Sequence, residues 1–163
     1  MQARCSHYEK TNAYGDIMKI NQDLTQQAQM ICAEKKERLT QPRLEVLKII
    51  SQSQKPLGAY EILNKLEEVL DSPKPPTVYR AIDFWVQMGF IHRIESLNAY
   101  VICHADHVHQ GAQFMICDDC GSVLEVHLDD MINLFQRHLD EGTFLPLKWN
   151  LEIHGQCSSC RPH

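Results

Sequence analysis

Cys103-His104-Ala105-Asp106-His107-Val108-His109, seven further residues, Cys117-Asp118-Asp119-Cys120-Gly121, and then Glu125: this stretch decides the reading of the chain. Thiolates, imidazoles and carboxylates are the ligand set of first-row transition metals. A second Cys-x-x-Cys, Cys157 and Cys160, follows near the end of the sequence. Each pair places two thiolates on one tight turn, and Gly121 frees the backbone where the first turn closes. Two such knuckles supply the four sulfur ligands of a closed tetrahedral zinc site. The 36 residues between the pairs exceed the ~15–20 of a compact zinc ribbon, so the expected site clasps a whole β-α-β segment. Structural zinc is preferred here to a redox pair or an iron–sulfur cluster, and such a site contributes on the order of 10 kcal/mol to folding.

Upstream of Cys103 the hydrophobic period is two. Residues 90–95 and 99–103 read as strands joined by Ser96-Leu97-Asn98 as a hairpin turn. Before them the period is helical. Leu24, Ala28, Ile31 and Cys32 predict a helix over 23–38. Thr40 and Pro42 open a second helix carrying Leu44, Leu47 and Ile50, and Gly58 opens a third with Ile62, Leu63, Leu66, Val69 and Leu70. The prolines of 71–76 interrupt the chain. A fourth helix then runs over 77–88, with Val78, Ile82, Trp85 and Val86 inward, and Gly89 stops it. Helices followed by a hairpin outline a winged helix-turn-helix, in which the helix before the wing enters the DNA major groove. Residues 1–20 show no amphipathic period and read as an arm.

Downstream, 113–117 and 122–127 predict strands, 129–140 a helix and 147–154 a strand, with a small core of Leu134, Phe135, Leu139, Phe144 and Trp149. The fold class is α+β. The expected divisions are an arm over 1–20, a winged-helix DNA-binding domain over 21–103 and a metal-binding α/β domain over 104–163, stapled by zinc.

Charge divides the same way. Residues 20–95 carry ten Lys/Arg and ten Asp/Glu, whereas 96–163 carry three against nine. An acidic, histidine-rich C-terminal part suits cations rather than nucleic acid, and the balanced N-terminal part permits DNA contact. The N-terminus lacks the pattern of a signal peptide, and no apolar run approaches the ~18 residues that span a bilayer. Together with paired cysteines that suit a reducing compartment, this predicts a cytoplasmic protein without membrane partners.

A second metal constellation comprises His92, Cys103, His104, His107, His109 and Glu125, with Asp106 nearby. It draws ligands from both the wing and the second domain. A thiolate among them favours zinc over iron, which prefers nitrogen and oxygen. A zinc deaminase or hydrolase fits poorly. The deaminase signature, with Glu two residues after the His and then Pro-Cys-x-x-Cys, is absent, and a four-ligand site has no open position for chemistry.

Leu39-Thr40-x-x-Arg43, Pro75-Pro76-Thr77-Val78-Tyr79-Arg80-Ala81, the histidine-rich loop and the two knuckles together resemble the Fur family of metal-responsive repressors, over roughly residues 20–161. Phe90-Ile91-His92, Tyr100-Val101-x-Cys103-His104 and His154-Gly155-x-Cys157-x-x-Cys160 are most similar to its zinc-responding members. The resemblance implies a homodimer, with one or two dimers on a double-stranded DNA operator, repressing zinc-uptake genes. An iron or peroxide response is the alternative. It implies two Zn2+ per protomer: a structural ion on Cys117, Cys120, Cys157 and Cys160, and a sensory ion on His92, Cys103, Glu125 and a loop histidine. His109 is the first choice for that histidine and His107 the second, with His104 also in reach. For DNA it points to Tyr60, Thr77, Tyr79 and Arg80. Arg80 suits a bidentate contact to guanine, and Arg43 a phosphate.

Overall fold

The computed structural model describes residues 13–103, 111–126 and 149–161, with side chains from residue 24 onward. Packing divides the chain after Cys103 into two units.

Among the described residues, the first unit holds four helices and a three-stranded sheet. Helix α1 spans Ala13–Glu34. It takes in residues 13–20, which were expected to form an arm, and it stops four residues short of the expected end. Its stop is a Schellman cap. Lys36 sits at φ 55°, its N–H reaches the Ala33 carbonyl at 3.2 Å, and Glu37 N–H reaches the Cys32 carbonyl at 2.8 Å. No glycine marks the cap, so the sequence did not announce it. Cys32 is buried, as its place on the apolar stripe required, and burial raises its thiol pKa.

Helix α2 spans Gln41–Ser51 behind Thr40, with Pro42 in its first turn. Strand β1 is only Leu57–Gly58, and α3 follows over Ala59–Glu67. Its start is fixed by Glu61, whose carboxylate accepts the Gly58 N–H at 2.7 Å. Ile62, Leu63 and Leu66 are buried, but Val69 lies beyond the helix end and faces solvent, against expectation.

Helix α4 spans Pro75–Gln87. It begins two residues earlier than expected, because Pro75 and Pro76 occupy the first turn, where a missing N–H costs nothing. Its end is as expected. Gly89 sits at φ 79°, Phe90 N–H reaches the Trp85 carbonyl at 3.0 Å, and the two rings meet edge-to-face at 4.9 Å.

Strands β2 (Ile91–Ile94) and β3 (Ala99–Ile102) form the hairpin, with His92 opposite Val101. Strand β1 adds to the far edge of β3, giving the order β1-β3-β2. Trp85, Leu47, Ile50, Ile62, Leu66, Ile82 and Ile91 form one core from α2, α3, α4 and β2. The Trp85 indole N–H donates to the Arg43 carbonyl at 2.6 Å, so this fully buried side chain keeps no orphan donor.

The second unit contains β4 (Gly111–Cys117), β5 (Val123–Glu125) and β6 (Trp149–Gly155) in the order β5-β4-β6. β4 is antiparallel to β5 and parallel to β6. Ala112, Phe114 and Ile116 are buried, and Met115 points the other way. Trp149 lies across Gly111, so close that a Cβ on Gly111 would fall 1.9 Å from its ring. Residues 1–12, the loop histidines His104, His107 and His109, the expected helix over 129–140, and Leu134, Phe135, Leu139 and Phe144 lie outside the described residues.

Candidate metal centre and nucleic-acid interface

Cys117 ends the central strand β4, and the chain turns at once. Gly121 N–H returns to the Cys117 carbonyl at 2.8 Å with φ 69° at Gly121, and Cys117 N–H reaches the Ser122 carbonyl at 2.9 Å. This turn brings Cys120 back beside Cys117. The second knuckle closes just after β6 in the same way, with Arg161 N–H to the Cys157 carbonyl at 2.9 Å. Because β4 and β6 are parallel neighbours, both knuckles emerge at the same end of the sheet. The ligand atoms of Cys117, Cys120, Cys157 and Cys160 all lie within 4.8 Å of one another.

Cys120 and Cys157 sulfurs stand 3.9 Å apart. Four sulfurs each ~2.3 Å from zinc have tetrahedral edges of about 3.8 Å, whereas a disulfide requires ~2.05 Å. The donor set and its spacing therefore fit a tetrahedral thiophilic ion. The Cys157 N–H points at Cys117 Sγ at 3.3 Å and offsets the charge that a ligating thiolate carries.

Sequence reasoning missed the side chains that fasten one knuckle to the other. Asp118 accepts from or pairs with His154 Nδ1 at 2.8 Å, and its N–H donates to the Gly155 carbonyl at 2.9 Å. Gln156 donates to Asp119 at 2.8 Å. The available signal was positional: a carboxylate inside one knuckle, and polar residues immediately before the other.

In the first unit, His92 and Cys103 offer ligand atoms within 4.8 Å of each other. The register explains this. His92 opposes Val101, Cys103 N–H continues the ladder to the Phe90 carbonyl at 2.9 Å, and residues 101 and 103 share a face. In the second unit, Glu125 ends β5 opposite Phe114.

The helices present a separate surface. Tyr60, in the first turn of α3, is 72% exposed, and Tyr79 on α4 is 44% exposed. Arg80 is exposed beside Tyr79, and Thr77 is half-buried in the first turn. Among the described residues no ion pair joins Arg80 to Asp83, so its guanidinium is not committed there. Arg43 differs. Its guanidinium lies over the Phe84 ring, 3.5 Å from the centroid, and bonds the Arg38 carbonyl.

The sequence pattern of the ferric uptake regulator family matches residues 34–154. This chain belongs to that family. Within it, the zinc uptake regulation protein of Escherichia coli (strain K12) is 40% identical over 141 residues, covering 85% of this chain and 82% of that protein. The zinc uptake regulation protein of Shigella flexneri gives the same figures. A zinc uptake regulator solved in complex with zinc and DNA superposes with a TM-score of 0.79 at 40% identity, over 86% of this chain and 94% of that one. Holo XcZur superposes with a TM-score of 0.75 at 37% identity, over 85% and 96%. The α+β arrangement is thus the ferric uptake regulator fold, and among the described helices none is long and apolar enough to cross a membrane.

Proposed function

We propose that this protein is a cytoplasmic, zinc-responsive transcriptional repressor that binds operators of zinc-uptake genes as a homodimer, and that it is not an enzyme. The observation that carries the reading is the pairing of an imidazole, His92, with a thiolate, Cys103, on the wing that follows helix α4. A soft donor beside a nitrogen donor prefers zinc to iron, and the wing is the element of a winged helix that lies next to the DNA. The named relatives are zinc uptake regulators, which favours the zinc response over the iron or peroxide alternative.

In this reading each protomer holds two zinc ions. Cys117, Cys120, Cys157 and Cys160 hold the permanent one. His92, Cys103, Glu125 and one histidine of the 104–110 segment, His109 ahead of His107 and His104, hold the exchangeable one. The regulatory range is set by how much more tightly those ligands bind it in the DNA-competent form than in the other. The winged unit over 21–103 contacts DNA and the unit over 104–163 dimerises. Met115, Leu124 and Ile153, exposed and in register across β4, β5 and β6, supply an apolar face suited to a second copy. Tyr60, Thr77, Tyr79 and Arg80 are the base-reading set, with one or two dimers per operator.

The test is fluorescence anisotropy of duplexes selected from a randomised pool, titrated with protein in zinc buffers. Sequence-specific binding should rise with free zinc, and Cys103→Ser should lose that dependence while keeping one zinc per protomer. Binding indifferent to both zinc and Cys103, or a stronger response to ferrous iron, would refute the reading.

A further inference from the structure

We infer that Arg43 is a positioning residue for helix α4 and not a phosphate contact, an inference that rests on the DNA-binding reading above. Four groups engage it. The guanidinium stacks on Phe84 at 3.5 Å, Nη1 donates to the Arg38 carbonyl and approaches Glu37 at 3.5 Å, and the Arg43 carbonyl accepts the Trp85 indole N–H at 2.6 Å. One residue of α2 therefore grips two consecutive residues of α4, one through its side chain and one through its backbone. Phe84 and Trp85 pack edge-to-face at 4.8 Å, so the two grips act on a single rigid pair. Phe84 lies one helical turn beyond Arg80, which places the grip next to the exposed face of α4. One face of the guanidinium and its Nη1 are thus already engaged within the protein. A lysine would keep the charge but lose the planar stack and the fork of donors.

A positioning role and a phosphate role leave different marks on DNA binding. A duplex selected from a randomised pool by the zinc-loaded wild-type protein serves as specific probe, and poly(dI-dC) as non-specific probe, over a range of salt. Arg43→Lys, Arg43→Gln and Phe84→Leu should each weaken the specific complex about tenfold, the scale of one cation–π contact. Non-specific affinity should stay within about twofold, and the slope of log affinity against log salt should match wild type. Phe84 is buried and cannot touch a phosphate, yet its variant should behave like Arg43→Lys, and the double variant should be little worse than either. Amide exchange over residues 75–87, read by mass spectrometry on the folded variants, should speed up in all three. Rescue by lysine, a slope shallower by about 0.9 in Arg43→Gln, or unchanged exchange in α4 would overturn the inference. If the wild-type protein selects no duplex at all, the DNA-binding reading itself falls and takes this one with it.

Discussion

Serine at position 160 would remove one of four sulfurs while changing little else in the second unit. Besides the metal, the contacts between the knuckles include Asp118–His154, Gln156–Asp119, the Asp118 N–H to the Gly155 carbonyl and the Cys157 N–H to Cys117 Sγ. Exposed contacts of this kind are worth about 0.5 kcal/mol each, so about 1–2 kcal/mol in all. A bound zinc contributes on the order of 10 kcal/mol, comparable to the whole stability of a small domain at about 5–15 kcal/mol. The metal term wins, and the second unit of Cys160→Ser should not unfold cooperatively. The chain contains two tryptophans, and they fall one in each unit: Trp85 buried in the first, Trp149 against Gly111 in the second. Trp85→Phe therefore leaves Trp149 as the sole reporter of the second unit, and Trp149→Phe leaves Trp85 for the first. In urea titrations, Cys160→Ser or chelation of all zinc should abolish the Trp149 transition. With no zinc at the His92–Cys103 site in either protein, the Trp85 midpoint of Cys160→Ser should differ from wild type by no more than the equivalent of about 0.5 kcal/mol. A Trp149 transition at an unchanged midpoint after zinc is stripped would refute the reasoning, because the knuckles would then stand without metal.

Arg80→Ala should cost about 1–3 kcal/mol of operator binding and relax specificity at one base pair, read by competition among point-substituted duplexes. Cys103→Ser should leave one zinc per protomer by elemental analysis and move the zinc midpoint of DNA binding out of range, whereas Cys120→Ser should destroy the second unit. Gly111→Ala should destabilise that unit by about 1–3 kcal/mol through collision with Trp149, read as a lower Trp149 midpoint in urea. Burial raises the Tyr100 phenol above its ordinary value near 10, so the unfolded chain ionises first; its stabilisation is full below pH 10 and fades as pH climbs through the folded value. As pH rises above about 10, wild-type stability should therefore fall more steeply than that of Tyr100→Phe.

Elements whose own residues specify them were legible in the chain. Gly89 at the end of α4 and the hairpin turn at 96–98 are cases where a backbone requirement selects a recognisable residue. The start of α2 was legible through Thr40 and Pro42, whereas Pro75 and Pro76, which read as an interruption, form the first turn of α4. The misses share a cause. Lys36 caps α1 at positive φ without a glycine, and β1 is two residues long, too short for any period to show. Val69 continues a helical pattern past the point where Leu66 already accepts the closing bonds. Arg43 reads as a surface charge in sequence, because nothing local reveals the Phe84 ring 41 positions away.

The sequence by itself determined the metal chemistry. Ligand type and the tightness of a Cys-x-x-Cys turn are local properties, so four candidate thiolate ligands and a mixed His/Cys/Glu set could be named before any fold was known. Tertiary structure alone decided convergence. The parallel pairing of β4 with β6 carries two knuckles 36 residues apart to one end of one sheet, and the β2–β3 register puts His92 and Cys103 on one face. The reason is that sequence fixes what a side chain can bind, whereas only strand order and register fix which side chains meet.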